Sequence, residues 1–115
     1  MKINKFVYKI CTSSELSKAQ VKKKFNGTAK DIKDGFIHLS KKNQVEKTLK
    51  NYYFNKDKLV LLKIDTSKLK KLVMEKSRDG ILFPHLYSVL SLSDITKKYK
   101  ILLTKNGSHR LPLSF

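Results

Sequence analysis

At 115 residues and 13.3 kDa, with 40% apolar side chains, the chain has the size and composition of one globular domain, which excludes a two-domain enzyme and a disordered protein. A single cysteine, Cys11, excludes an internal disulfide, and the longest aliphatic run, Leu59-Val60-Leu61-Leu62, falls far short of the roughly 20 residues that span a bilayer. Twenty-six basic against nine acidic residues leave a net charge of +17, a field suited to RNA or another polyanion. Only Arg78 and Arg110 are arginine, however, and lysine is the poorer residue for bidentate recognition of phosphate or guanine. The N-terminal stretch has neither an h-region nor a small-residue cleavage site, so it reads as mature sequence and the expected location is the cytoplasm.

Phe6-Val7-Tyr8-Lys9-Ile10-Cys11 has the composition of a strand, and Thr12-Ser13-Ser14-Glu15 matches a capping box that opens a helix ending near Asn26-Gly27. Leu16, Ala19 and Phe25 are its apolar positions, and Lys22, Lys23 and Lys24 its solvated face. Asp34-Gly35 marks a turn. Residues 36–40 then alternate as a strand with Ile37 and Leu39 on one face and Phe36, His38 and Ser40 on the other. A second helix follows, capped by Ser40 or a neighbour, in which Val45, Thr48/Leu49 and Tyr52/Tyr53 recur at helical spacing.

Residues 59–65 read as a central buried strand, apolar on both faces apart from Lys63, followed by a short helix or turn over 67–71. Val73 to Lys76 reads as an edge strand, Asp79-Gly80 as a hairpin turn, and Ile81 to Tyr87 as an extended segment that Pro84 restricts to an edge or a bulge. A last strand covers residues 99–103, and residues 104–115, with His109 and Arg110, read as a C-terminal tail. The order β-α-β-α-β followed by shorter strands gives one α+β domain over residues 1–103: a small mixed, partly antiparallel sheet with two main helices.

No phosphate-binding loop, dinucleotide fingerprint, paired-cysteine zinc site or nucleophile elbow occurs, so chemistry must come from dispersed residues. His38 and Ser40 share one strand face. Glu75, Arg78, His85 and Tyr87 fall in one block of thirteen residues. His38 and His85 are candidate acid–base groups, each with a structural alternative as a hydrogen-bonded imidazole. Glu75 is a candidate base or sugar-orienting group, and Arg78 a planar fork for an anion; the alternative for both is an ion pair with each other, or of Arg78 with Asp79. Tyr8 and Tyr87 could stack on a ring or simply pack, and Cys11 could be activated by a helix N-terminus or lie buried and inert. His38, His85 and Cys11 have no metal-ligand spacing, so no metal is expected.

At Tyr8-Lys9-Ile10-Cys11, Asp34-Gly35-Phe36-Ile37-His38-Leu39-Ser40, Gln44 and the block from Glu75 to Tyr87, the chain resembles the bacterial domain-of-unknown-function family numbered 952 over roughly residues 6 to 103. The resemblance implies an ADP-ribosyltransferase-like fold, and the Ile-His-Leu-Ser strand is similar to the His-Leu-Ser strand of RNA 2′-phosphotransferases, which consume NAD. It implies binding of NAD or an ADP-ribose-containing nucleotide, with ADP-ribosyl transfer as the reaction. His38, Glu75 and His85 would then be catalytic, and Tyr8, Ser40, Arg78 and Tyr87 would bind the cofactor. Against that pattern, Tyr8 stands where such transferases place arginine or histidine, and no residue matches the final-strand catalytic glutamate, for which Glu75 is a candidate substitute. Leu16 replaces a tryptophan common in the family, and Lys41 a small polar residue. A basic RNA- or polyanion-binding module without catalysis is the alternative reading.

Overall fold

The computed structural model describes residues 5–115. Strand β1 (Phe6–Thr12) leads into helix α1 (Ser13–Lys22), strand β2 (Lys24–Phe25), helix α2 (Ala29–Asp34) and strand β3 (Ile37–His38). Helix α3 (Val45–Tyr52) follows a single 3-10 turn, Lys42–Gln44. Then come strands β4 (Leu59–Asp65), β5 (Leu72–Lys76), β6 (Leu82–Leu86), β7 (Leu90–Ser91), β8 (Ile95–Leu103) and β9 (His109–Arg110). The α+β class is as expected, but in place of one mixed, partly antiparallel sheet the described strands form three sheets whose pairs are all antiparallel. Among the described residues no helix is long and apolar enough to cross a membrane.

A four-stranded antiparallel sheet, β1-β4-β8-β9, forms the middle layer, with β4 between β1 and β8 as its apolar run requires. Alternation along β1 and β4 divides the apolar side chains between two cores. Val7, Cys11, Leu62 and Ile64 pack with α1, Phe25, Ile37, Leu39, Leu86 and Leu90 on one face. Tyr8, Ile10, Leu59 and Leu61 pack with Val45 and Leu49 of α3, and with Phe115, on the other.

The second layer is the sheet β3-β6-β5, accompanied by the short pair β2-β7. Pro84 lies on β6, the central strand of that sheet, rather than at an edge or bulge. It is tolerated because its carbonyl still accepts from Leu39 N at 3.0 Å, while the return bond that proline cannot donate falls where β3 ends. The β3–β6 ladder therefore consists of Ile37↔Leu86 and His38↔His85. Beyond it the chain crosses to β1, where Tyr8 and Ser40 exchange two backbone hydrogen bonds of 2.8 Å. Among the described residues that bridge joins the two sheets.

Several local expectations change in the folded chain. Helix α1 stops at Lys22, not near Asn26, because Lys23 turns left-handed (φ 61°) and Phe25 is buried in β2 opposite Leu90. A further helix, α2, to which the sequence pattern assigned no element, precedes Asp34-Gly35; Thr28 and Asp31 form its capping box, and Gly35 (φ 88°) supplies the left-handed stop. Ser40 does not cap α3. Instead Lys41 N donates to Gln44 Oε1 at 2.9 Å, and Gln44 Nε2 reaches across to Leu82 O at 2.7 Å. The last long strand begins at Ile95, four residues before the expected start.

The 104–115 segment, expected as a tail, is tied down: β9 pairs with β8, and Leu111 and Phe115 pack on the α3 core. Phe115 meets Tyr8 edge to face, with ring centroids 5.5 Å apart. Phe115→Ala is therefore expected to lower unfolding free energy by about 1–3 kcal/mol, less than for a fully buried ring. Urea denaturation measures this, and an unchanged midpoint would mean that the segment adds nothing to the core.

Candidate functional site

The face of β1 that carries Val7 and Cys11 also carries Lys9, a cation in the middle of an apolar stripe. Its side chain is only 4% exposed, and the ammonium is 2.7 Å from Asp31 Oδ2 and 2.9 Å from His38 O. Burial of a lone ammonium is prohibitive, so the cation depends on these two acceptors. Asp31 is held in turn by four donors: Lys9 Nζ and Thr28 N (2.9 Å) on Oδ2, and His38 N (3.0 Å) and His38 Nδ1 (2.6 Å) on Oδ1. Gly27 packs tightly beneath it, since a Cβ there would lie 2.7 Å from Asp31 Cβ.

For Asp31, burial pushes the carboxyl up, but the His38 hydrogen bond, the Lys9 charge and hydrogen bond, and the Thr28 amide outweigh it and hold the group well below the usual carboxylate range. Burial pulls Lys9 below the usual lysine value, with Asp31 acting in the opposite direction. Because an ionised carboxylate only accepts, Nδ1 of His38 carries a proton. Asp34 Oδ2 lies 3.1 Å from Nε2, so both ring nitrogens of His38 face carboxylates.

His85 lies directly opposite His38 in the β3–β6 ladder, with ring centroids 5.7 Å apart. Its Nδ1 is 2.8 Å from Glu75 Oε1, which also accepts a 2.6 Å bond from Tyr87 OH. The hydrogen bonds from Tyr87 and His85 lower the Glu75 pKa, and the same bond to Glu75 raises that of Tyr87. Phe36 covers the assembly, stacking on His85 at 4.1 Å and lying 4.5 Å from His38 and 5.3 Å from Tyr87. Each imidazole is thus fixed through Nδ1 by its own carboxylate, and Nε2 of His85 has no side-chain partner among the described residues.

Both rings line a cleft of about 330 Å³, whose wall also includes Lys9 and Ile10 of β1. Ser40 lines it too, buried, with its hydroxyl 3.3 Å from Thr48 Oγ1. On the α3 side stand Tyr53, whose hydroxyl donates to Ile10 O, and Tyr52, which is 63% exposed. Lys30 and Lys76 are exposed cations of the lining. An imidazole with a free Nε2, a second ring flanked by carboxylates, an aromatic face and two lysines can hold an anionic, ring-bearing ligand and move a proton at it.

Of the residues singled out from the sequence, His38, Ser40 and His85 converge on this cleft. Glu75 is placed behind His85, so it orients that ring instead of facing the cleft, and Tyr87 joins it there while resting on Phe36. Tyr8 points into the α3 core and reaches the site only through its backbone bridge to Ser40. Arg78 is exposed on the β5–β6 turn, outside the cleft lining, and makes no ion pair among the described residues; Glu75 is already committed to His85 and Tyr87. Cys11 is buried, and burial above all pushes its thiol up to about 12, far from a nucleophilic thiolate.

Lys9, Asp31 and Phe36 were not expected as site residues. The signals for the first two were a lysine on an apolar strand face and a second Thr-x-x-acid box at Thr28 and Asp31.

The family described as "Protein of unknown function (DUF952)" matches residues 10–98. Among curated proteins none matches significantly. The fold is similar to the crystal structure of protein CC0527 from Caulobacter crescentus, with a TM-score of 0.87 and 36% sequence identity, covering 92% of this chain and 94% of that one. The solution NMR structure of the same protein gives a TM-score of 0.81 at 36% identity, covering 91% of each chain.

Two outcomes follow from the buried charges. Lys9→Met strands the Asp31 carboxylate and is expected to destabilise the fold by about 3 kcal/mol in urea denaturation; a midpoint near that of the parent would show that Lys9 is not needed to neutralise it. Because the folded-state pKa of Asp31 lies below its ordinary 3.8, its contribution to stability is complete above about pH 4 and is lost as pH falls further. That acid-side slope should flatten in Asp31→Asn, and an unaltered slope would assign the acid sensitivity to other groups.

Proposed function

The chain belongs to the DUF952 family, and from that premise we propose that its cleft binds NAD or another ADP-ribose-containing nucleotide, with ADP-ribosyl transfer as the reaction. The observation that carries this reading is the pair His38 and His85, opposed in one ladder and each anchored at Nδ1 by a carboxylate beside an aromatic face. The volume of about 330 Å³ is within the range of small-ligand clefts and takes part of a dinucleotide, leaving the remainder along the rim. We also read the two-sheet architecture as ADP-ribosyltransferase-like, on the strength of the His38-Leu39-Ser40 strand.

NAD would supply an ADP-ribosyl group whose bond to nicotinamide breaks with oxocarbenium character. The protein's part is to fix hydroxyls and phosphates and to accept a proton. Lys30 and Lys76 stand where they can hold a pyrophosphate, and Phe36 and Tyr52 offer faces for a ring. The Ser40 hydroxyl is a polar group available to sugar hydroxyls, while His38, with both ring nitrogens already facing carboxylates, contributes its ring to the cleft wall. His85, with its Nδ1 proton on Glu75, presents Nε2 as the base for an incoming acceptor, and Glu75 and Asp31 act as positioning residues.

Isothermal titration with NAD and ADP-ribose tests the proposal. His38→Ala and His85→Ala, confirmed folded by circular dichroism, are expected to weaken binding at least tenfold. Arg78→Ala, outside the lining, is expected to stay within twofold of the parent. Unchanged binding in the folded histidine variants, or no binding to the parent, would overturn the reading.

A further inference from the structure

A second concavity, of about 340 Å³, lies where three chain segments meet. The β2–β7 pair sets Lys24 opposite Ser91, and the bond from Tyr87 N to Lys71 O (3.0 Å) draws the 67–71 turn against the end of β6. Four exposed lysines, Lys23, Lys24, Lys68 and Lys70, line the resulting groove; Asp94 is the one acidic residue among its lining. Leu69 and Val89 give it an apolar part, and Val89 is 55% exposed.

These lysines are uncompensated. Among the described residues only Lys9 and Lys30 form lysine–carboxylate ion pairs. Other acids serve the backbone or the histidines: Glu15 caps α1, Asp65 accepts from Ser67 N, and Glu75 holds His85. The sheet even sets Lys63 directly opposite Lys97. Cross-strand like charges and a net charge of +17 destabilise the compact state, and a bound polyanion relieves both.

We propose that the Lys23, Lys24, Lys68 and Lys70 groove binds a single-stranded nucleic acid through its phosphates, with Leu69 and Val89 as apolar surface for a base. Convergence of cations from two segments on a concave surface suits a narrow, flexible strand better than a planar membrane. Lysine, a point charge without a planar fork, suits phosphate contact that is indifferent to sequence. This inference stands apart from the nucleotide reading of the His38 cleft.

The test is fluorescence anisotropy of the full chain with a fluorescein-labelled single-stranded RNA of twelve nucleotides. Four phosphate contacts correspond to a loss of affinity of about fifty-fold between 50 and 200 mM salt. Lys68→Glu/Lys70→Glu is expected to weaken binding at least tenfold at 150 mM salt and to reduce the salt dependence, while NAD titration is unchanged. Lys47→Glu/Lys50→Glu, the same charge change on exposed positions of α3, is expected to cost less than threefold, and Asp94→Asn to tighten binding. All these side chains lie on the surface, and circular dichroism checks the fold of each variant. Equal losses in the two double variants would reduce the effect to overall charge and overturn the groove. So would an unaffected Lys68/Lys70 variant, an absence of RNA binding, or stronger occupation by phosphatidylserine vesicles or polyglutamate than by RNA.

Discussion

The buried pair of Lys9 and Asp31 is the constraint on which the rest of the molecule depends. Two opposite charges, each almost fully withdrawn from water, persist only where their remaining hydrogen bonds are satisfied. Satisfying them fixes the site. Lys9 must lie beside the His38 carbonyl, Asp31 must receive both the His38 amide and its ring, and the Thr28 amide must be in reach. Helix α2, strand β1 and strand β3 are therefore held together by charge as well as by packing, and the orientation of His38 is a consequence.

The second imidazole is placed by a different device. Antiparallel register sets His85 opposite His38, and the hairpin β5–β6 brings Glu75 and Tyr87 to its outer side. Pro84 contributes by subtraction, because the amide it lacks ends the β3–β6 ladder and lets the chain cross to β1 at Ser40. The cleft lies at that crossing. Its two imidazoles differ in surroundings, one between two carboxylates and one with a single carboxylate and a free nitrogen, and that difference underlies their division of labour in the proposed chemistry.

Charge is used in two contrasting ways. Inside, one ammonium is matched to one carboxylate at a cost that only a well-defined geometry offsets. Outside, lysines gather without acidic partners where β2, β7 and the 67–71 turn converge. The buried cation organises the protein's own chain, whereas the surface lysines remain available to an external anion.

Patterns of spacing and alternation were enough to identify β1, β3, β4, the hairpin turn at Gly80 and helix α3, because each reflects local stereochemistry and one or two apolar faces. They also separated His38 and Ser40 from Ile37 and Leu39, and that division holds in the fold. Tertiary structure alone decided the rest. Whether Tyr8 faces a cleft or a core depends on which side of β1 is covered by α3 and Phe115, a contact made from more than a hundred residues away. The early end of α1 depends on the burial of Phe25 against Leu90, and the position of Pro84 on a central strand depends on where β3 stops. Glu75 meets His85 and not Arg78 because hairpin register, rather than distance along the chain, sets which side chains meet. Composition gave the amount of positive charge; only the convergence of separate segments determined which lysine is buried as an ion pair and which ones form a groove.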